Sequence, residues 1–226
     1  MKKNKLTKIL ILIFALVMVF SLTACSDEKD VKSAATTFLD KCVDGDFDAA
    51  EKLCSSSAAT SLGIKDIRST LESQFDLGFS SSSGTSISSY NKATQEAYND
   101  FIDYTLKKMI SSYKLNDDYD NDKKSISAKV KILDKDSASS STFQSEIQKM
   151  ATNYYKKHQS ALVKVYQSGG QTALQKKLMN DLAPKMFETA KTDYIGKMKT
   201  KTVTWKLTFK KNKSGKWIVN SASESE

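Results

Sequence analysis

The sequence predicts an α+β protein, with helices packed on a small antiparallel sheet of about four strands. Three observations carry that expectation. Apolar residues recur every three to four positions over 31–110 and again over 137–196, the period of a helix with one buried face. The period drops to two over Ile126 to Ile132 and over Val203 to Phe209, as in half-buried strands. Only eight glycines and one proline punctuate 226 residues, too few for a sandwich of many short, turn-linked strands.

Ahead of that body stands a leader. Lys2, Lys3, Lys5 and Lys8 form a basic head. Ile9 to Phe20 is an apolar run shorter than the roughly 20 residues of a membrane span. The run closes on Leu22-Thr23-Ala24-Cys25, which resembles a bacterial lipobox. That resemblance implies that the Cys25 thiol is alkylated with diacylglycerol and that a peptidase cuts just before it. Residues 1–24 are then a signal peptide, 25–30 a lipidated stem, and 31–226 a single domain. The short apolar core and the L-x-A-C ending disfavour an uncleaved transmembrane anchor. One myristoyl-length chain holds a protein only marginally, and a second makes anchoring stable. The expected partner of Cys25 is therefore membrane lipid, with the body on the extracytoplasmic face of the cell membrane. Without the leader's lysines the formal charge of +9 falls to about +5.

Within the helical region 31–110, Val31, Ala34, Ala35, Phe38, Leu39 and Cys42 predict a first helix. Asp44-Gly45-Asp46 interrupts it. Asp46 is placed to cap a second helix carrying Phe47, Ala50, Leu53 and Cys54. Cys42 and Cys54 both fall on buried faces of this helical hairpin, so they either bridge it or remain two buried thiols. A hairpin centred on Gly45 sets them out of register, and a disulfide needs Cα atoms within about 7 Å. Ile64, Ile67, Leu71 and Phe75 mark a third helix, Gly78 to Ser89 a serine-rich surface loop, and Tyr90 to Met109 a further helix facing inward through Ala97, Phe101, Ile102, Leu106 and Met109.

Residues 111–134 read as a strand pair. Its connection, Asn116 to Asp122, carries Asp118, Asp120 and Asp122 but lacks the glycine and terminal glutamate of an EF-hand, so it reads as a polar hairpin tip and not as a metal site. The helical insert 137–196 runs along Phe143, Ile147, Met150, Tyr154, His158, Ala161 or Leu162, and Val165 to Gly169-Gly170. His158, the only histidine, lies on that stripe and reads as a partly buried packing residue. Leu174, Leu178 and Leu182 begin another stripe that Phe187, Ala190 and Tyr194 continue. Pro184 predicts a break, with Asp181 capping a fresh helix that takes the proline in its first turn. The C-terminal hairpin 199–223 sets Val203, Trp205, Leu207 and Phe209 against Thr204, Lys206, Thr208 and Lys210. It turns at Lys213-Ser214-Gly215 and returns through Trp217 and Val219.

The pieces Ala34 to Leu53, Tyr113 to Asp134 and Val203 to Ser221 resemble, in order, the nuclear-transport-factor-2-like or cystatin-like cone. More narrowly they resemble Gram-positive lipoproteins built on it. The resemblance implies a curved antiparallel sheet wrapped around a long helix. Its enzymes place an acid or base inside the cone, whereas the inward positions here, such as Ile126, Val130, Val203, Trp205 and Leu207, are apolar.

The remaining chemistry is sparse. One histidine on a packing stripe, cysteines without metal-ligand or C-x-x-C spacing, and no nucleophile elbow point to no catalytic residues, no metal and no cofactor. Repeated βαβ units of a two-lobed transport receptor are missing. The expected function is a tethered binding or assembly module at the cell envelope. The alternatives are a cone-fold enzyme or a small accessory component of an envelope transport system. From Lys185 to Lys216 lysines far outnumber Glu188 and Asp193, while Asp27 to Cys54 is acidic. Anionic head groups or phosphate-rich wall polymers are thus the expected neighbours, and nucleic acid is not.

Overall fold

A computed structural model describes residues 27–73, 86–137 and 140–225, without the side chains of 140–142. The leader, Cys25 and most of the serine-rich run lie outside the described residues. The first helix, α1, covers 27–43. Val31, Ala35, Phe38, Leu39 and Cys42 recur along one face and are fully buried, so this stripe forms one wall of the core. Gly45, at φ +76, turns the chain. A β-carbon there would meet the Lys107 backbone at 2.9 Å, so the turn needs glycine for both conformation and space. The Asp46 side chain then accepts from the Ala49 N–H at 3.2 Å and starts α2, Phe47–Lys52.

Two short helices follow, α3 at Ser56–Ser61 and α4 over 67–73. The serine-rich α3 escapes the apolar pattern because it buries only Ala58 and Ala59, too little to show a period. Ile64 is buried in the connection ahead of α4 and not within it. Helix α5, Lys92–Met109, is capped by Asn91, whose side chain accepts from the Thr94 N–H at 2.9 Å. It buries Tyr98, Phe101, Ile102 and Leu106.

The protein is α+β, as expected: among the described residues six helices pack on an open four-stranded antiparallel sheet. Its strands β1 (Ile110–Leu115), β2 (Ser125–Leu133), β3 (Thr200–Lys211) and β4 (Trp217–Ser225) are hydrogen-bonded in sequence order. Strand β3 buries Val203, Trp205, Leu207 and Phe209, the alternation the sequence predicts. On the neighbouring strand, Val130, Ala128 and Ile126 stand opposite Val203, Trp205 and Leu207. The smallest side chain therefore faces the largest, which leaves room for the indole in the layer. The free edge of β4 is partly covered, because Leu53 O accepts from the Val219 N–H at 3.0 Å and Ser55 N–H donates to Val219 O at 2.7 Å.

The long insert differs from expectation at Pro184. Helix α6, Ser140–Thr189, breaks at Gly170 (φ 66, ψ −161) and then runs through Pro184 with no new start at Asp181. A proline inside a helix leaves the carbonyl four residues earlier without its usual donor. That carbonyl belongs to Asn180, and the hydroxyl of the fully buried Thr94 on α5 reaches it at 3.5 Å. Asn180 Oδ1 in turn accepts from the Asn91 N–H at 2.7 Å. The freed turn is thus where α5 docks on α6.

Candidate functional site

The helical layer and the sheet leave an opening at one corner. An apolar cleft of about 210 Å³ lies there between α2 to α4 and the sheet, lined mainly by Phe47, Ile64, Ile67, Ile132, Leu133 and Trp205. Its rim holds Lys135 and Glu224, and the Glu224 carboxylate accepts from Trp205 Nε1 at 2.9 Å. No acid–base pair converges on it among the described residues.

A larger concavity is a groove of about 480 Å³ between the two arms of α6. The break at Gly170 folds the helix back on itself and sets Tyr154 opposite Asp181. The Tyr154 hydroxyl donates to Asp181 Oδ2, and Lys177 Nζ reaches the same oxygen at 2.7 Å. Partial burial works against the ionised Asp181 carboxyl, but these two hydrogen bonds outweigh it and hold the group below the usual carboxylate range. His158 stacks on Tyr154 with ring centroids 4.3 Å apart. It is half-buried, as its position on the stripe predicts, but it lines the groove instead of the core. Lys157 and Lys185 face the groove from opposite arms and form no ion pair among the described residues, whereas Asp181 and Asp193 already carry lysine partners. Such walls suit a polar ligand with hydroxyl or anionic groups.

The sequence singles out His158 but not the company it keeps. Tyr154 is assigned there to packing, Asp181 to a cap and Lys185 to the basic tail. The signal that places them together is the Gly169-Gly170 turn, because folding a helix there brings 154 alongside 181.

Cys42 and Cys54 are free thiols in the structure, Cys42 fully buried and Cys54 half-buried. Burial pushes both upward from the ordinary thiol range, Cys54 to about 11, with Glu51 adding to the effect. Cys54 Sγ donates to the Glu51 carbonyl at 3.3 Å. Two aspartates of the β1–β2 connection, Asp118 and Asp120, serve the backbone. Asp118 accepts from the Ser127 N–H at 3.0 Å, and Asp120 from the N–H groups of Asp122 and Lys123, each at 3.0 Å.

The C-terminal lysines are partly spent within the fold. Lys191 pairs with Asp100 at 2.5 Å and Glu188 at 3.0 Å, Lys197 with Asp193 at 2.5 Å, and Lys211 with Asp27 at 3.5 Å. Asp27 also meets Lys124 at 3.1 Å, so the start of the described chain sits where β2 begins and β3 ends. Helix α6 leaves from the other end of the sheet, where Leu133 pairs with Thr200 and the Asp134 N–H donates to the Lys199 carbonyl at 2.8 Å. The nine residues of β2 separate the two ends by about 30 Å. No helix among the described residues is long and apolar enough to cross a membrane. Comparison with protein families, with curated proteins and with solved structures returned no match.

Proposed function

We propose that the chain is a lipoprotein, acylated at Cys25 and held on the extracytoplasmic face of the membrane, that binds a polar envelope component in the groove of α6. The leader and its L-x-A-C ending support the tether. The binding reading rests on one observation. A groove of about 480 Å³ is lined by uncommitted Lys157 and Lys185 beside the fixed Tyr154–Asp181 pair. The helical insert also departs from the sheet end opposite Asp27. With only one residue between Cys25 and Asp27, a tether would enter at the far end of the sheet from the base of α6. The enzyme alternative would call for converging acid and base groups in the sheet's cleft, where Glu224 is taken up by Trp205. Trypsin added outside protoplasts tests this reading. It should cut at exposed lysines of α6 such as Lys164 and leave an N-terminal fragment with the membrane. Full protection until the membrane is dissolved would contradict it.

A further inference from the structure

The end of the sheet where the described chain begins carries two loops of opposite charge. Around the β3–β4 turn, Lys210, Lys211, Lys213 and Lys216 are all exposed, and the chain has no acidic residue between Asp193 and Glu224. Lys210, Lys213 and Lys216 have no ion-pair partner among the described residues. The turn that presents them is fixed. Asn212 Oδ1 accepts from the N–H groups of Ser214 and Lys216, each at 3.0 Å, the Asn212 N–H donates to the Lys216 carbonyl at 2.8 Å, and Gly215 takes φ +77. The β1–β2 connection lies at the same end, since the Phe209 N–H donates to the Lys124 carbonyl at 2.8 Å, but it carries Asp117, Asp118, Asp120 and Asp122. Strand order sets the basic turn and the acidic connection towards opposite edges of the sheet. Asp27 joins the two sides by pairing with Lys124 at 3.1 Å and with Lys211 at 3.5 Å, and Lys211 Nζ also lies 4.9 Å over the Trp217 ring.

We infer that the β3–β4 turn docks through Lys210, Lys213 and Lys216 on anionic phospholipid head groups of the membrane that holds the chain. The inference rests on the tether proposed above and adds a second contact, which sets how the body stands on the bilayer. Chain length places the turn. At most about 7 Å of backbone separates Cys25 from Asp27, and Asp27 is bonded to Lys211 at the foot of the turn, so a lipidated Cys25 holds this end of the sheet close to the head groups. Charge complementarity then selects which edge goes down. An anionic surface draws in the three unpaired lysines and repels the four aspartates of the β1–β2 connection. A wall polymer or an acidic protein further out would meet the lysines of α6 first, because that helix departs from the opposite end of the sheet.

The test uses the mature lipidated protein on two sets of vesicles, one of neutral phosphatidylcholine and one also containing phosphatidylglycerol. Flotation with either set reports the anchor. Brief acetylation followed by mass spectrometry then gives the reactivity of each lysine. Each lysine near an anionic surface strengthens the hold on it about five-fold. On phosphatidylglycerol, Lys210, Lys213 and Lys216 should therefore react at least roughly five-fold more slowly than on phosphatidylcholine, and added salt should abolish the difference. The exposed Lys164 and Lys185 of α6 should react alike on both. In a Lys213→Gln and Lys216→Gln variant, which should float and melt as the natural chain does, Lys210 should lose its protection. Equal reactivity of the three lysines on both vesicles, slowing that extends equally to Lys164 and Lys185, or slowing at Lys123 in their place would overturn the proposal. So would protection by poly(glycerol phosphate) on neutral vesicles with none from phosphatidylglycerol. Flotation without protection refutes the docking alone, whereas failure to float refutes the tether and the docked turn with it.

Discussion

Trp205 shows how single residues decide this structure. Its side chain is 2% exposed, faces Ala128 and satisfies its only donor on Glu224, whereas Thr204 points the other way on the same strand. Trp205→Ala should therefore cost about 3–5 kcal/mol in a urea titration, and Thr204→Ala well under about 1 kcal/mol. Similar small losses at both positions would mean the strand is in the wrong register. Tyr113 gives a pH signature. Burial, and then its hydrogen bond to Asp40 Oδ1 at 2.7 Å, push the phenol from 10.0 up to about 12. The proton is held more tightly in the folded state, so the stabilisation is complete below pH 10 and is lost as pH rises towards 12. Urea midpoints should fall across that window, and Tyr113→Phe should make the fall shallower there, leaving the share of the buried thiols, whose window overlaps it. An unchanged slope in the variant would refute this assignment. At this scale the sequence was legible where burial alternates, as along β3. It was silent on polar pairs such as Tyr113–Asp40, which join residues 73 positions apart.

Whole elements were legible in proportion to the apolar surface they bury. Helices α1 and α5 and strands β2 and β3 each carry a sustained period and stand where it predicts. Helix α3 shows none. The proline of α6 misled for a physical reason: the rule that proline ends a helix assumes that the freed carbonyl finds no donor, and here Thr94 of another helix supplies one. The turn between α1 and α2 is the sharpest test at this scale. Gly45→Ala would place a side chain at φ +76 and 2.9 Å from the Lys107 backbone, which should cost at least about 2 kcal/mol. Gly215, at φ +77, has open space for at least 4 Å around the point where a methyl group would stand, so Gly215→Ala should cost only the conformational part. Equal losses in thermal melts would show that the α1–α2 turn does not lie against α5 at Lys107.

For the molecule as a whole, the sequence shows how much charge the chain carries but not which of its lysines are paired. Three lysines of the basic C-terminal stretch, Lys191, Lys197 and Lys211, pair with Asp100, Asp193 and Asp27, while Lys213 and Lys216 stay exposed at the β3–β4 turn. The two uncommitted lysines of the groove were equally hidden, because their proximity depends on how tightly the chain turns at Gly170. The central claim is that everything beyond residue 25 is held at a membrane by one lipidated thiol, with the α6 groove left to bind. Metabolic labelling with a radioactive fatty acid addresses that claim most directly, comparing the natural chain with Cys25→Ala. The account predicts a labelled, membrane-bound protein for the natural chain, and for the variant no label, with the protein released or left as a longer precursor. Incorporation of label into the Cys25→Ala chain, or none into the natural one, would contradict it.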